Sequence, residues 1–183
     1  MVGWTTCQTR GSAPRTTPGG SCRRADEKAT LTSYLEHYRL TLEMKCEDLT
    51  PEQMGTRAVP PSDLSLLGMV QHMARVEHRW FRLFLGGDPT GRRIFDDGTG
   101  GFTEITPTEE GVASAWMAWR AEVEHARRLW EEWPEANLGA RLPDGHGDTL
   151  TVRDMAVHMV EEYARHLGHV DLLRECLDGR TGQ

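Results

Sequence analysis
A chain of 183 residues is long enough for one ordinary domain with its own core, so disulfides or a structural metal are not needed to hold it together. Mean hydropathy is −0.56, and no apolar run approaches the ~20 residues of a spanning helix, which excludes a membrane-crossing segment. Four of the 21 basic residues and none of the 28 acidic ones fall in positions 1–25; the rest carries 17 against 28, a net of −11, too acidic for a nucleic-acid partner.

Positions 1–25 are turn formers without periodicity and include Arg10, Arg15, Arg23 and Arg24. They predict a disordered basic tail ahead of a bundle domain over 26–179. The tail lacks the apolar stretch of a secretory signal, so a cytoplasmic protein is expected. Cys7, Cys22, Cys46 and Cys176 have no CxxC spacing, which argues against a disulfide framework or a Cys zinc site.

From Asp26 the residues Leu31, Leu35, Tyr38, Leu42 and Cys46 recur every three or four positions and predict a first helix ending near Leu49. Thr50-Pro51 and the segment Val59 to Asp63 break it. A second helix is predicted from about Ser65 to Leu85, ended by Gly86-Gly87-Asp88-Pro89. A long loop over 86–106 follows, with a short extended piece at Phe102 to Ile105; loops of that length are often functional. The third helix starts after Thr106-Pro107, aligns Val112, Trp116, Trp119, Val123 and Trp130, and closes at Trp133-Pro134. A second loop, Glu135 to Leu150, contains a turn at Pro143 to Asp148. The fourth helix opens at Thr151, with Asp154 as capping partner, and runs to about Leu177 before Gly179. The fold class is therefore all-α, a four-helix bundle with long loops between helices two and three and between three and four.

The fourth helix carries the chemistry. On a wheel, Val152, Ala156, Met159, Tyr163, Val170 and Leu177 form its core arc. His166 falls at the edge of that arc, and Glu162 shares the azimuth of Met155 and Leu173. Residues at i and i+4 leave one face and can share a metal ion. On spacing alone the plainer reading is a Glu hydrogen-bonded to a core His, or a surface pair. His158 and His169 stand further toward the polar flank. On the second helix, His72 lies at the margin of the apolar arc, which permits an inward orientation without requiring it. Glu77 is its rival in mid-face, where a buried salt bridge is the plainer reading. His37, His78 and His125 read as surface histidines. Arg92, Arg93 and Arg141 lie on the long loops and either solvate them or hold a carboxylate.

The segment RAVPPSDLSLLGMVQH (57–72), followed by VEHRWF (76–81), resembles the second helix of actinobacterial DinB-like proteins. HMVEEYARHLGHVDLLRE (158–175) resembles their fourth helix more closely. The likeness spans about residues 26–179, specific in these two motifs and loose between them. It implies a divalent metal held by His72, Glu162 and His166, with water in the open position. Zn is the foremost candidate, with Ni, Fe or Mn as alternatives. Glu77, His158 and His169 are the candidates for groups behind the ligands, and the catalytic residue itself stays unassigned.

Relatives often have His at the position of Glu162, and the Glu form resembles the branch containing mycothiol-dependent maleylpyruvate isomerase. A chain that stops after the bundle, without that isomerase's further domain, is expected. The resemblance implies a metal-dependent transferase that activates a low-molecular-weight thiol such as mycothiol for attack on an electrophilic small molecule. The alternatives are a metal-dependent hydrolase or isomerase and a non-enzymatic metal-binding protein of the stress response. The expected partner is a small-molecule substrate, with no membrane or nucleic acid, and relatives leave a homodimer open.

Overall fold
The computed structural model describes residues 26–88, 91–143 and 147–182. Its helices are α1 (Glu27–Lys45), α2 (Pro51–Gly55), α3 (Leu66–Glu77), α4 (Glu109–Glu132) and α5 (Val152–Asp178), and α3 continues as a π-helical segment, His78–Leu85. The all-α bundle expected from the sequence is what the chain forms. The basic tail over 1–25, with Cys7 and Cys22, lies outside the described residues, as do the middle of the predicted turn at Pro143 to Asp148 and Pro89. Among the described residues no helix is long and apolar enough to cross a membrane.

Each long helix begins where a side-chain oxygen satisfies a free backbone N–H. Asp26 accepts from Ala29, Ser65 from Gly68, and Thr108 from Gly111. Thr151 and Asp154 form the predicted reciprocal box at the start of α5, and Gly179 ends that helix in the left-handed region at φ 77°.

The structure differs from expectation in three places. The first helix stops at Lys45, and Thr50-Pro51 opens a new short helix. Pro51 takes a first-turn position, where no N–H is needed, and Thr50 and Gln53 cap it reciprocally. The piece at Phe102 to Ile105 is not a strand. The antiparallel pair is instead β1 (Arg141–Pro143) with β2 (Thr149–Thr151), Leu142 opposite Leu150.

The third difference concerns α3, which is buried nearly all round, His72 and Gln71 included. It packs on α4 and α5, and α1 packs on α5. The loop over 97–104 covers its remaining face. Gly68 permits that approach, since a Cβ there would lie 2.3 Å from the Phe102 carbonyl oxygen. A residue at the margin of the apolar arc therefore still faces protein, which decides the orientation of His72.

Candidate metal centre
The rim of α3 and the inward edge of α5 bring His72, Glu162 and His166 together, each offering one donor atom within 4.8 Å of the others. The Glu162 Oε2 lies 3.2 Å from His166 Nε2 and 3.6 Å from His72 Nε2. Donors about 2.0–2.2 Å from a tetrahedral Zn²⁺ are spaced by roughly 3.4 Å, so the observed separations fit one ion.

The protons strengthen the fit. His72 Nδ1 donates to the Gly100 carbonyl at 2.8 Å, which leaves Nε2 as a bare lone pair. That Nε2 is buried and has no hydrogen-bond partner. His166 Nδ1 faces His169 Nδ1 at 3.3 Å; with His166 donating there, its Nε2 too is a bare acceptor. Acceptors converging on a carboxylate oxygen are stable only with protons or a cation between them.

The groups behind the donors come from three directions. Phe102 stacks on His72 with centroids 4.0 Å apart and also packs near His166. Gly100 and Phe102 are positioned by Asp97. Its Oδ1 accepts the Thr99 and Gly101 N–H groups, and its Oδ2 accepts the Thr99 hydroxyl and the Glu104 N–H. Burial works against that carboxylate, but the Thr99 hydroxyl and the three backbone donors together outweigh it and hold it well below the usual range. His158 Nε2 lies 3.1 Å from Glu162 Oε1.

A family model described as mycothiol-S-transferase matches residues 30–179. The chain belongs to the mycothiol-S-transferase family. No curated protein and no solved structure matches it.

In this mycothiol-S-transferase family member, hydrogen bonding holds the Glu162 carboxylate far below its ordinary range, from His158 first and then, where a proton rather than a cation stands between them, from His166 and His72. Glu162 in turn raises His158. Burial first, then the neighbouring His166, lowers the pKa of His169. A cavity of about 500 Å³ opens beside the donors, lined by His72, Glu162, His158, Trp80, Arg75 and Arg79 among others.

Not every candidate reaches this place. Glu77 is fully buried elsewhere: Arg39 grips it through Nε and Nη2 at 2.8 Å each, and the Tyr163 hydroxyl donates to it at 2.7 Å. It forms the buried salt bridge and does not stand behind the ligands. His78, expected at the surface, is buried, with Nε2 donating to the Arg92 carbonyl and Nδ1 3.3 Å from Glu122. Arg92 and Arg93 are exposed around a separate hollow, and Arg141 bonds Thr149 across the hairpin. Sequence reasoning missed Asp97, Gly100 and Phe102, which carry no periodic signal. It also missed Arg75, whose signal was its spacing of three from His72.

Proposed function
We propose that the protein is a metal-dependent transferase that moves a low-molecular-weight thiol, mycothiol by the family's description, onto an electrophilic small molecule. The observation that carries this reading is the convergence of His72 Nε2, His166 Nε2 and Glu162 Oε2 on one point at the edge of a cavity. Two neutral imidazoles and a carboxylate are a donor set that suits Zn²⁺ first and Ni or Fe next, and three protein ligands leave a position open. A divalent cation held there lowers the pKa of a thiol brought to it, so that the sulfur is nucleophilic at neutral pH.

The chain's own residues supply the arrangement. Gly100 and His169 fix the imidazole tautomers, and His158 orients the carboxylate. In the reaction the thiol gives up its proton, sulfur forms a bond to the electrophilic carbon, and the electron pair displaced there is protonated or leaves with its group. A hydrolytic reading needs a general base, Glu77 or His169, and loses the first of them because both oxygens of Glu77 are engaged by Arg39.

The test is consumption of mycothiol by zinc-loaded protein across a panel of electrophiles, with His72→Ala and His166→Ala as controls. Turnover that disappears in both variants is the expected result. Stoichiometric metal with no thiol consumption against any electrophile contradicts the reading.

A further inference from the structure
One wall of the cavity is cationic in a protein whose formal net charge is −7. Arg75 and Arg79 follow His72 by three and seven positions, spacings that share its face of the helix one and two turns on. Both line the cavity. Arg75 spends Nη2 on Asp96, a half-exposed carboxylate 3.1 Å away, while its Nε is buried with no hydrogen-bond partner. Arg79 lies against the rings of Trp80 and Phe84, 5.3 and 5.4 Å from their centroids, which orients its guanidinium, and Trp80 also lines the cavity.

The acids on the wall are committed elsewhere. Glu162 faces the three histidines, and Asp154 accepts from the backbone N–H and hydroxyl of Thr151. A guanidinium has five donors in a fixed fork that matches the two oxygens of a carboxylate. Arg75 lines the cavity with one of its five donor positions unmatched, which makes its guanidinium the protein half of such a contact.

We infer that this cavity binds a carboxylate-bearing small molecule, its anionic group held by Arg75 with Arg79 alongside. The electrophilic co-substrate is then an acid, because mycothiol itself carries no carboxylate. The role assigned to that acid rests on the transferase reading above, whereas its binding does not.

The probes are phenylthioacetate and its neutral amide, unreactive thioethers of nearly equal shape, titrated into zinc-loaded protein by calorimetry. The acid is expected to bind about tenfold tighter or more. Arg75→Gln and Arg79→Gln remove the preference, and Arg75→Lys keeps part of it. Zinc content and helical signal are measured on every variant, and the lysine variant keeps the test valid if a glutamine variant fails to fold. Equal affinity for acid and amide overturns the proposal. So does a preference that survives both glutamine variants and vanishes when zinc is removed, since the anion then sits on the metal.

Turnover of an unsaturated acid against its amide, with mycothiol as thiol, checks the assignment: a lower KM for the acid is expected, and equal values overturn the placing of the carboxylate on the electrophile. Absent turnover with the binding preference intact removes the transferase reading and leaves the anion site. Turnover without the preference does the reverse.

Discussion
Each donor residue presents one atom to its neighbours and is held by another from behind, and the holding atoms make the site testable one side chain at a time. Asp97 touches no donor, yet its four accepted hydrogen bonds shape the turn that presents the Gly100 carbonyl to His72. Asp97→Ala is expected to weaken zinc affinity by about tenfold or more, as loss of an outer hydrogen bond does in other sites, with the helical signal unchanged. A chelator competition assay measures this, and unchanged affinity would detach the loop from the site. In metal-free protein, His158 gains a proton partner in Glu162, so its pKa is raised. The stability it adds is fully present below about pH 6.5 and fades as pH rises through the raised value. The difference in Tm between wild type and His158→Asn should therefore be largest in mild acid and shrink toward pH 8; a gap that widens with pH would reverse the assignment. That Glu162 and His166 share one inward edge of a helix was legible from i, i+4 spacing, whereas a shared metal entered only with the resemblance. His78 was not legible, because its burial depends on Glu122 and the Arg92 carbonyl, which no local pattern connects to it.

Among the elements, helix starts were legible wherever Ser, Thr or Asp precedes a periodic run, and Thr151 with Asp154 behaved as read. Pro51 misled because proline ends a helix from inside but suits its first turn, and the Thr50–Gln53 box decides between the two. The π-helical segment after Glu77 was hidden, since an i to i+5 register leaves no distinct apolar period over eight residues. The loop over 97–104 was legible as long and glycine-rich but not as the cover of α3, which depends on contact rather than on pattern. Gly68 is where that contact is narrowest. Gly68→Ala puts a Cβ against the backbone of Phe102, so the loop must move and His72 loses its Gly100 partner. Zinc affinity is expected to fall in that variant, although alanine is the better helix former. Unchanged affinity would show that the loop can shift without disturbing His72.

At the scale of the molecule, the candidate metal centre and the buried ion pair are separate parts of one bundle. Arg39, Glu77, Tyr163 and Trp119 form a hydrogen-bonded chain through the interior, and Tyr163 is pushed well above its ordinary pKa by burial first and by Glu77 next, so it stays a donor. Glu77→Gln takes the fully buried carboxylate from Arg39, which keeps only the partly exposed Glu36, and is expected to cost about 3–5 kcal/mol of stability in a denaturant melt, with zinc stoichiometry intact at low temperature. Loss of zinc in that variant would instead tie Glu77 to the metal. The bundle class was legible because four amphipathic stretches with little strand signal admit few arrangements; the depth of α3 was not, because it arises from what the loop and two other helices place around it. The most direct measurement is elemental analysis of protein purified without a metal-binding tag, as wild type, His72→Ala and His166→Ala. One divalent ion per chain in the wild type, lost in both variants while the helical signal persists, is the predicted result. Full metal content in either variant, or none in the wild type after incubation with zinc, would contradict a centre built from His72, Glu162 and His166.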